Sequence, residues 1–141
     1  MSTFEKFDIV AATITGAAFA PQSVTSGTPI NGETIDKEGT NVNATHAAVV
    51  LVGTATLSSG ATLTLTVARE TADSSGFAGS TVTTAGTVTI SSSGAFAAAV
   101  RVDVTTAKRY LRARVTPTLS APGTDSATVG AAYMLAGLSV V

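Results

Sequence analysis

The sequence predicts an all-β protein: an antiparallel two-sheet sandwich, of jelly-roll or Ig-like type, with an extended N-terminal arm. Three observations predict it. Leu63, Leu65 and Val67 alternate with Thr62, Thr64 and Thr66, which is the period of a half-buried strand. Turn clusters such as "SSG", "SSSG" and "SAPGTDS" recur at short intervals, as they do between the strands of sandwiches and barrels. Thr and Val are abundant, and their β-branching favours strands.

Residues 1–45 read as the arm. Its texture is irregular, with Pro21, Pro29 and the turn signal Asn31-Gly32. One strand is expected in it, near Asp8 to Thr15. Residues 46–141 read as the sandwich domain. "AAVVLVGTATL" is a buried strand interrupted by Gly53, and "SSG" is expected to turn it into "ATLTLTVAR" as a hairpin. The polar tip "ETADSSG" follows. "STVTT" and "TVTI" give further strand, split at Ala85-Gly86. "AFAAAVRVDV" places Phe96, Ala98, Val100, Val102 and Val104 on one face. "RYLRARVTPTL" is the next strand, and "ATVGAAYMLAGLSVV" closes the chain. At most a short helical turn is expected.

A chain of 141 residues is read as one domain with a real core. Charged residues make up 12%, about half the usual ~25%, so much of the surface is neutral. The net charge of −1 gives no bulk attraction to nucleic acid or acidic membranes. Cysteine is absent, which excludes disulfides and thiolate chemistry. "IVAATITGAAFAPQ" imitates a signal peptide ending at Ala20. Its flank carries Glu5 and Asp8 against Lys6, so a secretory signal is not expected. No run approaches the ~18 apolar residues of a membrane span.

Reactive chemistry is hard to assemble. His46 is the only histidine, and partners for a general base or a metal site are missing nearby. The serines cluster at turns, and none sits in a Gly-x-Ser-x-Gly elbow. No glycine-rich loop leads to a Lys-Ser/Thr pair. No enzymatic activity, cofactor or metal is expected.

Charge placement is the strongest pattern. Five of the eight Lys and Arg lie close together: Arg101, Lys108, Arg109, Arg112 and Arg114. Alternation puts Tyr110, Arg112 and Arg114 on one face of their strand. The acids Glu33, Asp36 and Glu38 cluster in the arm. Two readings stay open: a solvated face with cross-strand partners, or a docking surface on which the basic face of one subunit meets the acidic arm of another.

Four stretches carry a resemblance. They are "GETIDKEGT", "AAVVLVGTATLSSG", "LTLTVARETADSSGF" and "AKRYLRARV". The run from Gly32 to Phe77, with the last of these stretches, resembles small virion proteins of tailed bacteriophages encoded near the major capsid gene. The resemblance implies a capsid decoration or cement protein without enzymatic activity. Its expected partners are the major capsid protein and copies of itself, as a trimer, with no direct nucleic-acid or membrane contact. The expected place is the capsid surface, after synthesis in the host cytoplasm. Two other readings are a tail-tube or baseplate subunit and an exported Ig-like adhesion module.

Overall fold

The computed structural model describes residues 13–37 and 44–137. Nine strands make two antiparallel sheets, and there is no helix among the described residues. The strands are β1 (Thr13–Ser23), β2 (Ile30–Asn31), β3 (Ile35–Asp36), β4 (Ala44–Thr56), β5 (Leu63–Ala72), β6 (Thr81–Ile90), β7 (Gly94–Asp103), β8 (Tyr110–Leu119) and β9 (Ser126–Gly137). One sheet has the order β1-β9-β4-β7. The other has β2-β8-β5-β6, with β3 also on β8.

The pairing is nested. β5 pairs β6, β4 pairs β7, β2 and β3 pair β8, and β1 pairs β9. The chain is therefore one long hairpin centred on residues 73–80 and rolled into two layers. β4–β9 and β5–β8 pairing closes the roll. With β2 and β3 sharing one strand position, this is the eight-stranded jelly roll. The choice between jelly roll and Ig-like sandwich is thereby made.

Alternation built the core as read. Leu63, Leu65 and Val67 on β5 are fully buried, and Val100, Val102 and Val104 face them from β7 and the residue after it. Burial of such side chains stabilises by about 1.5–3 kcal/mol each. β8 turns Leu111, Ala113 and Val115 inward, while Arg112 and Arg114 stay half-exposed.

Two local expectations are corrected. β4 and β5 are not a hairpin; they lie in different sheets, and the "SSG" turn crosses between layers. There Ser58 N–H donates to Asp125 Oδ1 at 2.8 Å, tying the crossover to the loop before β9. β6 is not split; it runs through Ala85-Gly86 with a bulge opposite Val67 and Ala68.

Residues 13–37 lie on the sandwich. β1 forms the edge of one sheet and extends beyond the strand expected near Asp8–Thr15; residues 1–12 fall outside the described residues. In the other sheet, residues 24–36 together with Tyr133 satisfy the edge of β8. Leu119 N–H donates to Ser26 Oγ at 2.9 Å, Val115 stands opposite Ile30, and Ala113 N–H donates to Tyr133 Oη at 2.9 Å. Pro117, the one residue of this series without an N–H, lies opposite Leu65 of β5 but beyond the end of β2, so on that edge only its C=O is used, accepting from Gly27 N–H at 2.7 Å.

Candidate functional site

The expected interface residues divide between two places. Arg101 lies on β7, opposite Ala48 of β4, on the outer face of the first sheet. Lys108, Arg109, Tyr110, Arg112 and Arg114 lie at or near the start of β8, in the second sheet. Asp36 on β3 stands opposite Tyr110. Glu33 lies between β2 and β3, with its backbone tied to Ala18 and Tyr133. Glu38 falls outside the described residues.

Lys108, Arg109 and Arg112 each pair with an acid of the same chain. Arg109 holds Asp36 through two bonds, Nε to Oδ1 at 3.0 Å and Nη2 to Oδ2 at 3.1 Å. Its guanidinium carbon also lies 5.0 Å from the Tyr110 ring centroid. Lys108 Nζ lies 3.3 Å from Asp73. Arg112 Nε donates to Glu70 Oε1 at 2.7 Å. The acidic segment and the basic strand thus meet inside one molecule.

Glu70 shows how the fold makes this corner. It sits on β5, opposite Arg112 on β8 and Val82 on β6, facing away from the core. It is nonetheless only 5% exposed. The tip at 73–80 folds back toward this outer face, and Phe77 packs there with its ring 4.1 Å from the Arg112 guanidinium carbon. Phe77 is buried and adopts a left-handed backbone, φ 58°, which redirects the chain. Ser80 Oγ donates to the second Glu70 oxygen at 2.7 Å. Burial alone would push the Glu70 carboxyl up. The bonds from Arg112 and Ser80, with the nearby charges of Arg112 and Arg114, outweigh it and hold the pKa below the ordinary value.

Neighbouring backbone is fixed in the same way. Thr71 Oγ1 donates to Tyr110 C=O at 3.0 Å and accepts from Lys108 N–H at 2.7 Å. Lys37 Nζ donates to Ala107 C=O at 2.9 Å. Glu70, Asp73 and Phe77 were not among the expected site residues. The face shared by Glu70, Thr66 and Thr64 was readable from alternation, but its partner across the strand depends on register.

Other places offer less. His46 lies in β4, opposite Asp103 and Ala136. Among the described residues no group of three His, Asp or Glu stands ready to hold a metal ion. A cleft of about 360 Å³ opens beside the β6 bulge, lined by Arg69, Thr83, Thr84, Arg101, Asp103 and Thr106 among others. Arg69 Nη1 already donates there to Asp103 C=O at 2.7 Å and to Thr106 Oγ1 at 3.1 Å.

No protein-family model and no curated protein sequence matches the chain. Among solved structures it is similar to the PBSX exported protein XepA, at 14% identity and a TM-score of 0.45, over 91% of this chain and 38% of that one. It is also similar to the infectious bursal disease virus VP2 subviral particle, at 13% identity and a TM-score of 0.42, over 87% of this chain and 32% of that one. The infectious bursal disease virus Gx strain structure follows at 12% identity and a TM-score of 0.38, over 91% of this chain and 34% of that one. The chain spans well under half the length of each.

Proposed function

We propose that this protein is a structural subunit of a phage particle, a decoration protein that binds across neighbouring major capsid subunits and stabilises the head. One observation carries the reading. Three of the stretches that resemble phage virion proteins interlock at one corner of the sandwich. "GETIDKEGT" supplies Asp36 and Lys37, "LTLTVARETADSSGF" supplies Glu70, Asp73 and Phe77, and "AKRYLRARV" supplies Lys108, Arg109 and Arg112. Residues far apart in the chain fix one surface, as a subunit that works by shape requires. With its acids and cations mutually paired, the corner offers a partner a defined relief more than net charge. Weak contacts of that kind gain strength when many copies engage one lattice.

The test adds full-length protein to expanded phage capsids that lack it. Saturable binding and a higher capsid melting temperature are expected. Capsids that neither bind it nor melt higher sink the reading; rings of the protein in electron micrographs would point to a tail component.

A further inference from the structure

The inward row of β5 ends on a charge. Leu63, Leu65 and Val67 fill the core, and Arg69 continues their row, opposite Ala113 of β8 and Thr83 of β6. Its guanidinium reaches across the layers. Nη1 donates to the C=O of Asp103 on β7 at 2.7 Å and to Thr106 Oγ1 at 3.1 Å. Among the described residues Arg69 makes no other hydrogen bond and no ion pair. Its Nε is enclosed and without a partner. The edge formed by Nε and Nη2 is therefore left open. Arg109 uses the same edge to hold both oxygens of Asp36. Lys108 and Arg112 have acids as well, and Arg69 has none. A cation drawn in from water without a counter-charge is costly, and an enclosed donor without an acceptor adds to that cost.

The cleft beside the β6 bulge leads to this group. β6 and β7 are outer strands of their sheets. Near Gly86 they touch, since a Cβ there would stand 3.1 Å from Val100 Cγ1. Past the extra residue Ala85 they part, and Thr81 to Ala85 are all exposed. The opening holds about 360 Å³, the small-ligand end of the ~300–1,000 Å³ range of binding pockets. From this we infer that the cleft binds a small hydroxylated monocarboxylate, of the size of a sugar acid, with its carboxylate seated on Arg69. A planar guanidinium fork matches the two oxygens of a carboxylate. Thr83 and Thr84 line the same space with hydroxyls that both donate and accept, as the hydroxyls of such a ligand require. One negative charge is the right number. Arg69 and Arg101 line the cleft together with the carboxylate of Asp103. Asp103 Oδ1 accepts from Thr105 N–H at 2.9 Å and Thr105 Oγ1 at 2.7 Å, so Asp103 is kept ionised beside the site. A monoanion balances the two cations against it, and a dianion meets its repulsion. The inference does not depend on the capsid reading.

Titration of the full chain at neutral pH, followed by calorimetry and by the Arg69 Nε–H signal in nitrogen-15 NMR spectra, tests it. Glucuronate is expected to bind saturably and to shift that signal. Glucose, which lacks the carboxylate, and inorganic phosphate should each bind at least about 10-fold more weakly. Arg69→Gln should weaken glucuronate binding about 10–100-fold. That variant also loses the ties to Asp103 and Thr106, so a second one keeps Arg69 in place. Thr83→Trp, at an exposed position, fills the cleft and should abolish binding while circular dichroism shows a folded protein. Glucuronate that does not bind overturns the inference. So does glucose or phosphate that binds as tightly, bound glucuronate that leaves the Arg69 signal unmoved, or binding that survives in folded Thr83→Trp.

Discussion

The phenol oxygen of Tyr133 occupies the space in which a Cβ on Gly32 would stand. Tyr133 rises from β9 in one sheet and reaches β8 in the other. There its oxygen accepts from Ala113 N–H and donates to Glu33 C=O, each at 2.9 Å. One hydroxyl therefore fills the gap between β2 and β3 and joins the two layers. Gly32→Ala forces an overlap, with an expected cost of about 1–3 kcal/mol. Tyr133→Phe leaves the buried Ala113 N–H and the part-buried Glu33 C=O without this partner, also at about 1–3 kcal/mol. The double variant eases the overlap, so urea unfolding should show less than the sum. Strict additivity would mean that the two residues do not constrain each other.

Burial raises the pKa of the Tyr133 hydroxyl to about 12, aided by the Glu33 charge and opposed by the Ala113 bond. The unfolded chain ionises near ~10. Stability from this group is full below the unfolded value and is lost as pH rises through the folded one. Alkaline unfolding of the wild type should steepen between those values, and Tyr133→Phe should remove that component. Phenolate absorbance of the folded protein checks the same point: Tyr133 should not ionise until pH nears 12.

Glu70 titrates in the opposite sense. Its pKa lies below the ordinary value of 4.5, so its contribution is present above that pH and is lost as pH falls through the folded value. Glu70→Gln should destabilise clearly at neutral pH, because Arg112 loses its partner. The gap between variant and wild type should narrow below about pH 4. Parallel stability curves for the two proteins from neutral to acid pH would refute this account.

Phe77 holds the tip at 73–80. Phe77→Ala should cost about 3 kcal/mol and open the tip to limited proteolysis. Phe77→Gly should cost less than Phe77→Ala, because the left-handed backbone suits glycine. Gly76→Ala, whose Cβ would meet nothing within 4 Å, should change stability little. Denaturant melts of the three variants give the order.

The exposed ion pairs should weigh little. Lys108→Ala removes a pair in which Asp73 is 83% exposed, and the expected cost is under about 1 kcal/mol. A larger loss in a thermal melt would give Lys108 a role beyond that pair.

Much of this was readable from local pattern. The inward series of β5, β7 and β8 followed directly from period-two alternation, since each strand has one wet and one dry face. Arg112 and Arg114 were placed on their proper side for the same reason. Non-local facts were not readable. Asn31-Gly32 looks like an ordinary turn signal, yet glycine is needed there because of a ring one hundred residues later. Glu70 looks like a solvated carboxylate in a polar tip, and only the fold-back of Phe77 buries it. The "SSG" segment has hairpin composition, but composition does not say whether a turn stays in its layer or crosses. The acidic and basic clusters were both visible, while their meeting within one chain required the register of β3 on β8.

β9 lies between β1 and β4, although it leaves the ribosome after all the other strands. Until it emerges, β1 has no neighbour in its sheet and β4 has only one. Half of the sandwich must therefore wait, its apolar inner faces uncovered, until β9 has been made. Closure of this sheet is slowed by distant strand pairing and vulnerable during that interval to capture by other nascent copies.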